Sequence, residues 1–153
     1  MANIVFNIAK GRIKEFYNRV KSNDPTNSAL ILVPIETSGL EADATLIDKD
    51  DLTALLSGTT NEQTTMGRKV LTDADLAALS APDDTNDRNE CDLPTVTWTA
   101  ASGNAISKIA VCYDSDTTSG TDSSIIPLTM FDFAQTPSGS DIQMTGATFF
   151  RAA

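Results

Sequence analysis

Apolar residues near the start of the chain recur at helical spacing: Ile8, Ile13, Phe16, Tyr17 and Val20, with Lys10, Arg12, Lys14, Arg19 and Lys21 mostly between them. That spacing gathers one apolar face, so the pattern predicts an amphipathic helix over residues 8–21. Asn23-Asp24-Pro25 stops it, since proline disfavours helical geometry in the residue before it and asparagine accepts the left-handed cap conformation.

Ala29-Leu30-Ile31-Leu32-Val33 is apolar without a break, as a strand buried on both faces or at a subunit contact would be. Pro34 marks a strand end or a sheet edge, because it offers no N–H to a ladder. Asp48-Lys49-Asp50-Asp51, followed by Leu52, Leu55, Leu56 and then Gly58, reads as a short helix with acidic groups at its positive end. Thr72-Asp73-Ala74-Asp75 opens a second short helix, with a threonine three residues ahead of a carboxylate, and Ala81-Pro82 ends it. Met66 to Leu71, between the two, leaves room for a strand.

After residue 93 the period changes to two. Val96 and Trp98 alternate with threonines, and Ile109, Val111 and Tyr113 alternate with Ala110 and Cys112. Ile125–Phe133 and Ile142–Phe150 read as two further strands, joined through the reversal Thr136-Pro137-Ser138-Gly139-Ser140. The fold class that follows is α+β: mainly an antiparallel β sandwich or barrel, with an N-terminal amphipathic helix and short inserted helices. With 153 residues the chain suits one domain, divided into a basic helical arm over 1–22 and a single β-rich body over 23–153.

Charge sharpens that division. The net charge is -10. Residues 1–22 hold five of the basic groups against Glu15 alone, about +4, and the rest of the chain carries about -14. An acidic body repels phosphate backbones, so nucleic acid is not an expected partner. The longest apolar stretch, Ala29 to Ile35, is far shorter than a bilayer span, so no membrane segment is expected either. The opening residues lack the basic-then-apolar pattern of a secretory signal. The helix has three readings: a membrane-surface helix, a partner surface, or a helix packed on its own acidic body. The membrane ranks last, because such helices carry longer apolar faces and more basic charge; the other two stand level. Its residues, with Leu30 and Leu32 of the apolar strand, make up the candidate assembly interface: Ile8, Lys10, Arg12, Ile13, Lys14, Phe16, Tyr17, Arg19, Val20 and Lys21.

Candidate chemistry is sparse. There is no histidine, which removes the commonest general base and metal ligand. Neither a GxSxG elbow nor a phosphate loop occurs; Gly67-Arg68-Lys69 is no such motif. No catalytic set and no cofactor site are read from the chain. Asp83–Asp92 is rich in oxygen ligands, but Arg88 interrupts it and it lacks the glycine of a calcium loop, so it reads as a solvated connector without metal. Asp114, Asp116 and Asp122 frame a Ser/Thr-rich segment that reads as a hairpin loop held by its own side chains, with a hard cation as the lesser alternative. Cys91 and Cys112 read as buried free thiols.

Two stretches carry a resemblance. Asn7-Ile8-Ala9-Lys10-Gly11-Arg12, leading through Phe16-Tyr17-Asn18-Arg19-Val20 to Asn23-Asp24-Pro25-Thr26-Asn27-Ser28-Ala29, resembles the opening of small virion proteins of tailed bacteriophages. Tyr113-Asp114, Thr118 to Leu128, Gly139-Ser140-Asp141 and the closing Phe149-Phe150-Arg151-Ala152 are similar in character to the same group. The resemblance implies a non-enzymatic viral structural protein, made in the host cytoplasm and located on the capsid surface. There it would act as a cement or decoration protein, binding the major capsid protein as a trimer or dimer. A neck, tail or fibre component is the alternative. A calcium-dependent glycan-binding module, carried by Trp98, Tyr113 and the 114–122 loop, is the reading from another class.

Overall fold

The computed structural model describes residues 4–79 and 84–152, built around a five-stranded antiparallel sheet. In spatial order its strands are β1 (Ile4–Val5), β7 (Ile126–Gln135), β6 (Ile106–Asp114), β2 (Ala29–Glu36) and β3 (Lys69–Leu71). Two antiparallel ribbons accompany it: β4 (Asn89–Leu93) with β9 (Ala147–Ala152), and β5 (Val96–Trp98) with β8 (Ile142–Met144). The helices among the described residues are α1 (Ile13–Lys21), α2 (Asp43–Leu46), α3 (Leu52–Leu55) and α4 (Asp73–Leu76). The fold is α+β with antiparallel sheets.

Alternation along β2 and β6 explains why both strands are apolar throughout. Leu30 and Leu32 of β2, with Ile109, Val111 and Tyr113 of β6, enter one cluster together with Phe16, Tyr17, Trp98 and the ribbons. Ala29, Ile31, Val33 and Ile35, with Ala110 and Cys112, enter a second cluster on the other face, beneath Leu46, Leu52 and Leu55 of α2 and α3. A strand with both faces covered has no polar side to present. Register shifts in the β6–β7 pairing, one between Val111 and Cys112, set the phase of β7, which sends Leu128 to the first cluster and Met130 to the second.

Pro34 lies inside β2, a strand with neighbours on both sides, and not at its end. The local pairing accounts for this. β3 pairs only with Leu30 to Leu32; beyond that point the same side of β2 meets a loop, where Gln63 N–H donates to the Pro34 carbonyl at 2.9 Å. Backbone N–H and C=O of one strand residue share a side, so the missing N–H of Pro34 falls where no ladder continues.

The expected helix over 8–21 is shorter. A 3-10 turn, Asn7–Ala9, is followed by Gly11 at φ +79°, and regular helix starts at Ile13. The left-handed glycine separates the two pieces. Asn23, at φ 50°, stops the helix as expected of an asparagine cap. The helix expected from Asp48 is the single turn α3, because the side chain of Asp51 accepts Ala54 N–H at 2.7 Å and sets the start there. The capping box at Thr72 and Asp75 is present, while its stop at Ala81-Pro82 lies outside the described residues. The acidic segment expected to be a solvated connector ends in a strand, β4: its Cys91 and Leu93 are buried, and its Glu90 pairs with Arg151 of β9 at 2.7 Å. The strand expected over 142–150 is two strands, β8 and β9, parted at Thr145-Gly146.

Candidate assembly surface

The structure divides the candidate interface into a buried and an exposed half. Ile13, Phe16, Tyr17, Val20, Leu30 and Leu32 are all core residues of the first cluster. They are reassigned from interface to core, because packing α1 onto the sheet already covers them. Phe16 stacks on Tyr113 with ring centroids 4.6 Å apart, and Tyr17 donates its hydroxyl to the Asp92 carbonyl at 2.8 Å. The segment 1–22, expected as an arm, supplies β1 to the central sheet and α1 to the layer over it.

What remains outside is Ile8, Lys10, Arg12 and Arg19, with Lys14 and Lys21 half-buried. The two half-buried lysines fasten the helix to its own body. Lys14 Nζ donates to the Glu90 carbonyl at 3.1 Å and sits over the Tyr17 ring, while Lys21 Nζ donates to the Leu79 carbonyl. Burial holds the Lys14 pKa below the usual lysine value. Arg12 and Arg19 both bond Glu15, at 3.2 and 3.1 Å, and Arg12 also covers the Phe16 ring. Those bonds, Arg12's first, hold Glu15 below the ordinary carboxylate range. The helix therefore turns outward a guanidinium pair that shares one carboxylate, with Lys10 and Ile8 in the turn before it.

The segment that covers the opposite face of the sheet is acidic. The segment through α2 and α3 contains Glu41, Asp43, Asp48, Asp50 and Asp51 against Lys49, with Asp48 and Asp50 exposed. Beneath it lies Lys108, whose side chain is 0% exposed and whose Nζ bonds Asp132 at 3.0 Å and Asp43 at 3.2 Å. Sequence reasoning passed over Lys108, although a single lysine within the apolar run of β6 is the signal for a buried cation with carboxylate partners. Arg68, dismissed as part of no phosphate motif, is a second hub. Its guanidinium forks onto Glu62 and Asp122 through four bonds of 2.6 to 2.8 Å. The bonds from Asp122 and then Glu62 raise the Arg68 pKa, and Asp122 is lowered in turn.

The 114–122 loop turns its carboxylates inward on itself. Asp116 accepts from Thr118 N–H, Thr118 Oγ1 and Ser119 Oγ, at 3.0, 2.6 and 2.6 Å, and is held down to about 2 by these hydrogen bonds, that from Ser119 first. Asp114 accepts the Asp116 N–H, and Asp122 is taken by Arg68. Trp98 is 1% exposed and donates its indole N–H to the Gly67 carbonyl, while Tyr113 is buried under Phe16. The ring faces and carboxylates of the glycan-binding alternative are therefore not brought together on the surface. Cys91 and Cys112 are free and buried in clusters on opposite faces of the sheet. Burial raises both thiol pKa values, that of Cys91 to about 11, which keeps them protonated near neutrality.

The segments that carry the sequence resemblance converge in space. Besides the Phe16–Tyr113 stack, Thr117 N–H donates to the Asn27 carbonyl at 3.1 Å, and the Tyr17 and Phe149 rings lie 6.0 Å apart. No family model, no curated protein and no solved structure matches the chain.

Proposed function

We propose that this protein is a structural component of a tailed-bacteriophage virion, bound to the outside of the capsid as a cement or decoration protein that stabilises contacts between major capsid subunits. The observation that carries the reading is the convergence just described. The opening segment, the Tyr113–Asp122 loop and the closing strand resemble small virion proteins, and they pack against one another through Phe16, Tyr113, Asn27, Thr117, Tyr17 and Phe149. A charged surface of mixed sign on a tightly packed body also suits a part that must add to a preformed shell and stay soluble until it does.

Quantitative mass spectrometry of purified particles tests this. Hundreds of copies per particle are expected of a decoration protein. A dozen copies or fewer overturn the cement role in favour of a neck or tail part, and absence from particles overturns the virion reading altogether.

A further inference from the structure

The central sheet ends at β3, and that edge is open. On the β3 side of β2 the Pro34 carbonyl accepts Gln63 N–H, so the even-numbered residues of β2 aim their backbone groups at β3. Leu30 and Leu32 therefore make the ladder bonds, to their partners Leu71 and Lys69. Val70, between those two, points its own N–H and C=O away from the sheet. No described residue meets them, and the Val70 side chain is 49% exposed on the face of its partner Ile31. The next outward N–H, that of Thr72, is already taken by Asp75 at 2.8 Å. The odd-numbered neighbours use the other face: Leu71 is buried in the first cluster, and Lys69 Nζ lies 5.9 Å over the Trp98 ring. Lys69 and Asp73 each lack an ion pair among the described residues.

We propose that two copies of this chain pair edge to edge, β3 against β3, antiparallel across a two-fold axis through Val70. An unpaired strand edge is a template for another strand, and a two-fold contact requires a patch that complements itself. This edge does so. Each Val70 N–H donates to the Val70 carbonyl of the other copy, and the two exposed valine side chains meet at the axis. Lys69 stands opposite Leu71 of the second copy and diagonal to its Asp73, on one face, within reach of a long side chain. With only one outward residue on each edge, the contact belongs to the small, transient class. The inference does not rest on the virion reading: particle stoichiometry decides that one, and solution assembly decides this one.

Sedimentation velocity of the intact chain, over concentrations up to about 1 mM to reach the weak end of the affinity scale, is expected to show a monomer–dimer equilibrium. Val70→Lys sets two ammonium groups against each other at the axis and should weaken dimerisation at least about tenfold, although it moves the net charge from -10 to -9 and so lowers general repulsion. Lys69→Asp should weaken it as well, and Lys69→Asp with Asp73→Lys should recover it, because the exchanged charges meet again across the axis. Circular dichroism verifies that the variants are folded. Val70→Cys gives a second readout, since the two native thiols are buried. Hydrogen-bonded antiparallel partners lie about 5.5 Å apart between Cα atoms, inside the range a disulfide spans. On mild oxidation Val70→Cys should therefore crosslink at least about tenfold faster than Ile8→Cys, whose site is 38% exposed but lies on no sheet edge. A wild type that stays monomeric throughout, a Val70→Lys protein that dimerises as well as the wild type, a charge exchange without recovery, or equal crosslinking at the two sites overturns the proposal.

Discussion

The two layers that cover the central sheet are built by different means. The α1 side is closed by large rings with polar tips tied to the backbone: Trp98 to Gly67 and Tyr17 to Asp92, with Phe16 stacked on Tyr113. The other side is closed by two helices of a single turn each, which hold through Leu46, Leu52 and Leu55 and through the buried ammonium of Lys108. Helices that short do not persist by themselves. The comparison teaches that one layer is organised by aromatic packing and specific hydrogen bonds, and the other borrows its order from the sheet beneath it. The largest expected effect separates them. Trp98→Ala should cost about 3–5 kcal/mol and Leu52→Ala about 2–5 kcal/mol in urea unfolding, with Trp98 the greater because it loses a ring and orphans the Gly67 carbonyl. A costlier Leu52→Ala would make the α2–α3 layer the keystone instead.

Charge offers the next contrast. Replacing both Asp43 and Asp132, themselves partly exposed, by alanine takes two charge-assisted bonds from Lys108, whose own side chain is fully buried, and should cost about 1.5–3 kcal/mol. Lys14→Met on the other layer loses a bond to a carbonyl and the ammonium over the Tyr17 ring, at a half-exposed position, and should cost about 0.5–1.5 kcal/mol. Equal costs would mean that the two layers hold their lysines in the same way.

The smallest effect is confined to acid. Asp116 has its ordinary value of 3.8 depressed to about 2 in the folded protein. A depressed carboxylate stabilises the fold above its unfolded pKa and loses that contribution as pH falls through the folded one. Stability of the wild type should therefore drop between pH 3.8 and about 2 by an increment that Asp116→Asn lacks. Parallel acid titrations of the two proteins would contradict the inward-turned loop.

Strand content and fold class were legible because the alternation at Val96 and Trp98 reflects burial on one face, and the apolar runs at Ala29 and Ile109 reflect burial on both. The capping box at Thr72 was legible because its chemistry is local. Long-range pairing was not. The acidic segment before Leu93 has the composition of a loop, and only its partner β9 makes Asn89–Leu93 a strand. Pro34 read as an edge because the sequence does not say that β3 is three residues long. The interface was half legible: periodicity identified the face of α1 that is buried, but a helix packed on its own body and a helix that meets a partner share that periodicity. Ring contacts and lysine–carbonyl bonds distinguish them, and those depend on Asp92, Glu90 and Leu79, far along the chain.

The basic N-terminal segment is part of the folded body, and its charge is displayed from a fixed position. Native-state hydrogen exchange of the free protein tests it most directly. Amides of Phe16, Tyr17 and Val20 should exchange as slowly as those of Leu32 and Val111 in the sheet, because all five belong to one apolar cluster. Exchange at the rate of an unprotected peptide across residues 13–21, with the sheet still protected, would contradict it and return the segment to a free arm.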